Sequence, residues 1–397
     1  MTLAVLPGFV WRRGSAWRSA IVVSLFLAIA SVVSIVTTGC ARPGEAPVAQ
    51  VSPTALPSAT AAPTVPVASP SPPSPSATTV PPSPLPAPSA TAAPPTQTVD
   101  QTLPVVSEQY VQTLSVVIPV GNTRESVDVP RYAGGFGPQS FGVDRQGNIF
   151  ICDTVNRRVQ VFAADGSYRM TIPVQAPAAP ADIAIDDAGH LYVLDDTQGV
   201  LDQYDPKGRL QRRIPVVVEQ PRGPLHIVGE TLYLSSNGSD RPIGVIVRGL
   251  IEPVSGASGA MPSSSLPGMV GRTSGRRYAA QRVDAGTGVV EVFDAAGTSI
   301  QTITVRAPRL LSVRFLQEDA SGNIYMQVER GAPEGIGALL EVHVFDAQGE
   351  FVCRIPIPEN RYETWTVKLL DVGVDGSIYQ FMPRFDGSHL NAFSSQK

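Results

Sequence analysis

Histidine and cysteine are scarce in this chain, with four and three residues among 397. The histidines, His190, His226, His343 and His389, form no pair at His-x-x-x-His spacing. A zinc centre or a histidine-based lyase therefore finds no ready ligand set. No Gly-x-Ser-x-Gly elbow occurs, which removes the usual nucleophile frame of an α/β-hydrolase. Charged residues are only 16% of the whole, and none of the first 44 residues is acidic. Four of the 30 basic and two of the 34 acidic residues precede position 105, so the remainder carries a net charge of −6. That balance argues against a phosphate-binding surface, and no nucleic-acid partner is expected. A convincing helical period is also missing from this remainder.

At the N-terminus, Arg12, Arg13 and Arg18 precede a run from Ala20 to Val36 that is apolar except for Ser24, Ser31 and Ser34. Thr37, Thr38 and Gly39 lead to Cys40. A cationic flank, an apolar run and small residues are the layout of a secretory signal. With Gly39 before Cys40 the segment resembles a bacterial lipoprotein signal, which implies lipidation of Cys40. Thr37 departs from that pattern, which places an aliphatic residue three before the cysteine. The same run is nearly long enough to cross a bilayer as an uncleaved anchor, with its arginines left in the cytoplasm. Either reading exports everything after residue 40 and attaches it to the outer face of the cytoplasmic membrane or to the cell envelope.

Residues 41–104 are Pro, Ala, Ser, Thr and Val with few other types, and carry only Arg42, Glu45 and Asp100 as charges. Without aromatics such a stretch buries too little apolar surface to offset its ordering entropy, and it is expected to be a disordered linker.

Residues 105–397 repeat. Asp144-Arg-Gln-Gly-Asn-Ile-Phe-Ile151, Asp187-Ala-Gly-His-Leu-Tyr-Val193 and Asp319-Ala-Ser-Gly-Asn-Ile-Tyr325 each place a glycine turn before a strand of alternating β-branched and aromatic residues. A second turn follows in Val159–Gly166, Leu201–Gly208, Val290–Gly297 and Val342–Gly349. Glycines 147 and 189 stand one repeat apart, as do 166 and 208, and the repeat is about 42 residues, the length of one four-stranded propeller blade. Blade starts near 138, 181, 224, 269, 310 and 367 give a six-bladed β-propeller, an all-β fold. The sixth blade ends after three strands. Tyr110–Val120 is expected to supply the fourth and close the ring. Blade three lacks a recognisable second turn, and 252–267 is a Ser/Gly/Pro-rich insertion that either replaces its outer strand or forms a surface loop.

Asp144–Phe162 reads DRQGNIFICDTVNRRVQVF and resembles the NHL repeat, D-x-x-G-N-[IV]-[YF]-V-x-D-x-x-N-x-R-[IV]-x-x-[FY]. One unit matches nearly throughout, 181–216 partly, and the rest keep only turns and strands. The resemblance implies that Asp153, Asn156 and Arg158 are structural. It also brings in similar six-bladed enzymes, among them gluconolactonase-like hydrolases and virginiamycin lyases, most of which hold a metal at the central channel.

Tested for such a site, the sequence offers Asp182, His226 and Asn237 as candidate ligands, with Gln139, Asp195, Asp196 and Asp240 nearby in the expected register. A calcium site asks for about six oxygen ligands, including several carboxylates, and the later blades supply Gln281, Gln327, Glu329 and Gln380 in place of acids. No cofactor is expected, calcium being the one to test. His190 reads as a surface turn residue and His343 as lying away from the channel. Cys152 and Cys353 fall in non-adjacent blades and read as separate buried thiols. The leading expectation is a monomeric, membrane-attached binding module for a protein, glycan or small molecule, with recognition by the links 237–243, 284–288, 330–337 and 383–389. The alternatives are a divalent-metal-dependent hydrolase or lyase and a purely structural envelope component.

Overall fold

The computed structural model describes residues 96–99, 110–132, 136–175, 178–220, 222–254, 266–333, 337–359 and 361–396. Cys40 and the stretches expected to be a signal and a linker, up to position 95, lie outside the described residues. Two strands precede the first blade, β1 (Thr96–Val99) and β2 (Tyr110–Ile118).

Blade one is β3 (Phe141–Val143), β4 (Ile149–Asp153), β5 (Arg158–Phe162) and β6 (Tyr168–Pro173). Blade two is β7 (Asp182–Ile185), β8 (Leu191–Asp195), β9 (Val200–Tyr204) and β10 (Leu210–Pro215), and blade three is β11 (Arg222–Val228), β12 (Thr231–Ser236), β13 (Ser239–Val247) and β14 (Leu250–Pro253). Blade four is β15 (Met269–Val270), β16 (Arg277–Arg282), β17 (Thr287–Phe293) and β18 (Ser299–Arg306). Blade five is β19 (Leu310–Glu318), β20 (Ile324–Gly331), β21 (Ala338–Phe345) and β22 (Phe351–Ile357). Blade six takes β23 (Leu370–Val372), β24 (Ile378–Arg384) and β25 (Gly387–Ser395), and its outer strand is β2.

Six antiparallel sheets thus form the all-β, six-bladed propeller that the repeats predict. The ring closes by pairing Tyr110 with Ser395 at one end of β2 and Ile118 with Ser388 at the other. Blade three keeps its own outer strand. Its second turn is Arg248-Gly249, both at positive φ, so the insertion does not replace β14. One strand is unexpected: Thr96–Val99, inside the stretch read as linker, pairs in parallel with the outer edge of β18. Thr96, Thr98 and Val99 are β-branched, a composition that suits a strand there.

The core lies between blades, because central strands such as β4 and β8 bury both faces. Along β4, Phe150 and Cys152 pack with Ile183, Leu191 and Val193 of blade two. The alternate residues Ile149 and Ile151 pack with Phe381 and Leu390 of blade six. Period-two alternation therefore splits one strand between two apolar seams. Similar clusters join blades two and three, four and five, and five and six. The seam between blades three and four is polar instead among the described residues: Val270 N donates to Asp240 Oδ2, and Arg277 donates to Asp240 O and Leu266 O.

Second-turn glycines serve the same packing. A Cβ on Gly166 would stand 2.5 Å from Val116 of β2, and one on Gly208 would stand 2.8 Å from Met170 of β6. Each turn rests against the outer strand of the preceding blade, and each glycine also has positive φ, 83° and 74°. Lack of a side chain and the left-handed conformation are required together.

Candidate functional site

Antiparallel order gives the ring two faces. First and second turns lie on one, the turn face. On the other, the link face, lie the connections from second to third strand and from each outer strand to the next inner one. The six inner strands enclose a channel of about 1660 Å³ between the faces.

At the end of β4, the buried Asp153 accepts from Asp128 N at 3.2 Å, Asn156 Nδ2 at 2.9 Å and Arg158 Nε at 2.7 Å. Burial pushes its pKa up against these donors. Arg158 continues to Thr123 O and Ser126 O, tying the entry segment before β3 to blade one. One repeat later Asp195 accepts from Ala179 N, Thr197 N and Gln198 N. These residues hold turns and links, and they do not line the channel.

Asp182 opens β7 and is fully buried. Ser140 Oγ and Ile183 N donate to its Oδ1, and Leu225 N donates to Oδ2 at 2.8 Å, so one carboxylate joins three inner strands. Arg222 Nη1 stands 3.3 Å from Oδ2 and Lys368 Nζ 3.9 Å from Oδ1. Arg222 also reaches Asp196, Gln139 Oε1 and Ala181 O. Burial opposes the charge on Lys368, but Asp371 and Asp182 outweigh it and hold its pKa above the ordinary lysine value.

His226, on β11, lines the channel and stacks on Tyr233 with ring centroids 5.7 Å apart. Its Nε2 is 2.9 Å from Asp240 Oδ2 but misaligned, leaving both ring nitrogens without a hydrogen bond among the described residues. Asp240 is occupied by Ser235 Oγ and Val270 N. Asn237 also borders the channel. It forms an Asn-Gly turn with Gly238, at φ 50° and 73°, the type expected of a tight hairpin.

The three candidate ligands are therefore not all presented to the channel. His226 and Asn237 border the channel, whereas Asp182 lies outside its lining, its oxygens engaged by N–H and O–H donors and faced by two cations. No group of three His, Cys, Asp or Glu side chains among the described residues could hold a metal ion.

The other sequence candidates are also engaged. His190 is half-buried, not a free surface residue: Nδ1 lies 2.9 Å from Asp186, and the ring packs beside Gly249 of blade three. His343 is buried on β21 next to Glu341. Cys152 and Cys353 are buried free thiols, in strands of blades one and five. Burial raises both pKa values, that of Cys353 to about 11.

The turn-face end is crossed by Arg272, which donates to Glu318 O in blade five and Val372 O in blade six. The link-face mouth looks different from the sequence expectation. The links at 237–238 and 385–386 are two-residue turns, and 283–286 is short. Longer stretches come from the outer-to-inner connections 119–140 and 358–369, which carry Tyr132, Phe136, Tyr362 and Trp365, 68%, 46%, 47% and 53% exposed. Phe136 and Trp365 form an edge-to-face pair with centroids 6.1 Å apart. Gln139 O then accepts from Thr366 Oγ1 and Val367 N, seating this pair beside channel-lining Thr366. Sequence reasoning passed over these aromatics because they sit outside the repeats; the signal was their concentration in two strand-free stretches.

No protein-family model matches the chain, and no curated protein matches it. Several solved structures do. A Bacteroides fragilis protein described as a candidate exported protein has 9% identity and a TM-score of 0.45, over 76% of this chain and 99% of that one. A DUF4221-family member from Bacteroides vulgatus has 13% identity and a TM-score of 0.42, over 73% and 99%. Virginiamycin B lyase from Staphylococcus aureus has 11% identity and a TM-score of 0.41, over 72% and 99%. At these identities and TM-scores the likeness carries no argument about activity.

Proposed function

We propose that this chain is an exported, membrane-attached binding module whose propeller takes its ligand at the link-face mouth of the channel. The observation that carries the reading is the saturation of Asp182. The carboxylate best placed by sequence to hold a metal is used to join three blades, while an open channel of about 1660 Å³ remains. A large concave site with a few convergent polar groups is the usual form of a binding site. Attachment rests on the segment ending in Gly39-Cys40. The NHL-type reading of the repeats is supported by Asp153 and Asp195, which cap equivalent turns one blade apart.

The test is the melting temperature of the purified chain with calcium, zinc or EDTA, alongside elemental analysis. A chain without stoichiometric metal, melting identically in all three, is expected. A bound metal and a melting point lowered by EDTA would replace this reading with the hydrolase or lyase. The observation favouring that alternative is His226 at the channel wall, whose ring nitrogens make no hydrogen bond among the described residues although Asp240 lies 2.9 Å away. For attachment, Cys40→Ser is expected to abolish fatty-acid labelling. Persistent labelling would refute the lipoprotein assignment.

A further inference from the structure

The channel's cations are nearly all committed. Arg145 pairs with Asp187, Arg222 with Asp182 and Asp196, and Lys368 with Asp371 and Asp182. Arg272 is spent on backbone carbonyls. Arg314, exposed on β19 and lining the channel, makes no hydrogen bond or ion pair among the described residues. It stands close enough to Tyr362 for its charge to act on that hydroxyl, as does Glu329. Tyr362 lies three residues before Trp365 on the same connection, and Thr366, next to Trp365, lines the channel together with Arg314.

An edge-to-face pair covers only one of its four ring faces, so most of the Phe136 and Trp365 faces depend on other contacts for cover. Flat aromatic faces with planar amide, carboxylate and guanidinium groups beside them match a pyranose. Its axial C–H face stacks on a ring, and its hydroxyls bond in pairs to forked groups such as Gln327 and Glu329, already joined at 2.8 Å. A fork-shaped guanidinium with no partner suits a carboxylate. One uncommitted cation among the described channel-lining residues, the others being held by carboxylates or backbone carbonyls, fits one carboxylate per sugar, and it is too little for a polyphosphate.

We propose that the link-face mouth binds an acidic oligosaccharide, a sugar ring resting on Trp365 and Phe136 and its carboxylate held by Arg314. This rests on the binding-module reading and names its ligand class.

Trp365 supplies the readout, since the other two tryptophans, Trp11 and Trp17, lie in the N-terminal segment. The full chain in detergent is titrated with oligogalacturonate, a hyaluronan oligomer and a sialylated oligosaccharide, and with the carboxyl-reduced form of each. Saturable change in Trp365 emission with at least one acidic chain, absent with its reduced form, is expected. Arg314→Gln should weaken that binding about tenfold, and Arg314→Lys should restore only part of it, because the fork is lost. Trp365→Phe, read by calorimetry, should weaken it less than Trp365→Ala. Both residues are exposed, so the variants should melt as the parent does. Equal affinity for acidic and reduced chains, or indifference to Arg314→Gln, overturns the proposal. So does failure of all three acidic chains, and so does a protein partner that competes for the mouth while no saccharide binds. If the sugars fail while EDTA leaves melting unchanged, only the ligand class falls. If EDTA lowers melting and a metal is found, the binding-module reading falls as well.

Discussion

Asp182 shows how a residue that reads as a ligand becomes a fastener. With Arg222 only 1% exposed and Lys368 beside it, removing the negative charge leaves two buried cations with only Asp196 and Asp371 to balance them. Asp182→Asn is therefore expected to cost about 3 kcal/mol or more in urea unfolding, and Lys368→Met should recover part of that loss. A loss within experimental error would mean that solvent reaches the cluster. Glu341 gives a pH signature. Burial alone would raise its pKa, but His343, Arg330 and Arg354 overcome it and hold the value at about 2. A carboxylate depressed in the fold contributes stability that is complete above its unfolded pKa and is lost as pH falls through the folded one. Stability should therefore decline from about pH 4.5 towards pH 2, and Glu341→Gln should flatten that part of the profile. At this scale the sequence was readable for Asp153, Asn156 and Arg158, whose spacing is local. It was not readable for Asp182, because Ser140, Leu225, Arg222 and Lys368 come from separate blades and no spacing rule brings them together.

Among the elements, the second turns carry the most exact packing. Gly166→Ala introduces a Cβ 2.5 Å from Val116 and strains a φ of 83°. It should destabilise the chain by about 1–3 kcal/mol. Adding Val116→Ala should return the steric share and leave the conformational share, so a double-mutant cycle separates them. Additive effects would show that the turn and β2 do not touch. The glycine turns and the strands after them were legible because both depend on neighbouring residues. Asn237-Gly238 was legible too, as a hairpin signal, yet the stretch 237–243 was read as a longer link. The aromatic connections 119–140 and 358–369 were hidden for a different reason. Their shape depends on tertiary bonds such as those from Thr366 and Val367 to Gln139 O.

For the whole ring, apolar clusters bind every pair of neighbouring blades except three and four among the described residues. There the inner strand β15 has only two residues, and Asp240 holds the seam. Local opening should begin at this seam. Under native conditions the Val270 amide is expected to exchange hydrogen faster than Ile151 or Val193 in the apolar blades. Equal protection would place the weakest seam elsewhere. The six-blade count and the closure by Tyr110–Ile118 could be read ahead of the structure, since a repeat length and a missing strand are both properties of the sequence. The channel's paired charges could not.

The pairing of Tyr110 with Ser395 also has a meaning in time. It joins a strand that emerges before the first blade with the last strand of the sixth, so a chain still in transit holds five blades and an open gap. On such a path nothing can shut the ring early, and until β25 emerges the edge of β2 has no strand to pair with. The seam that completes the architecture is also the last part of the ring to form.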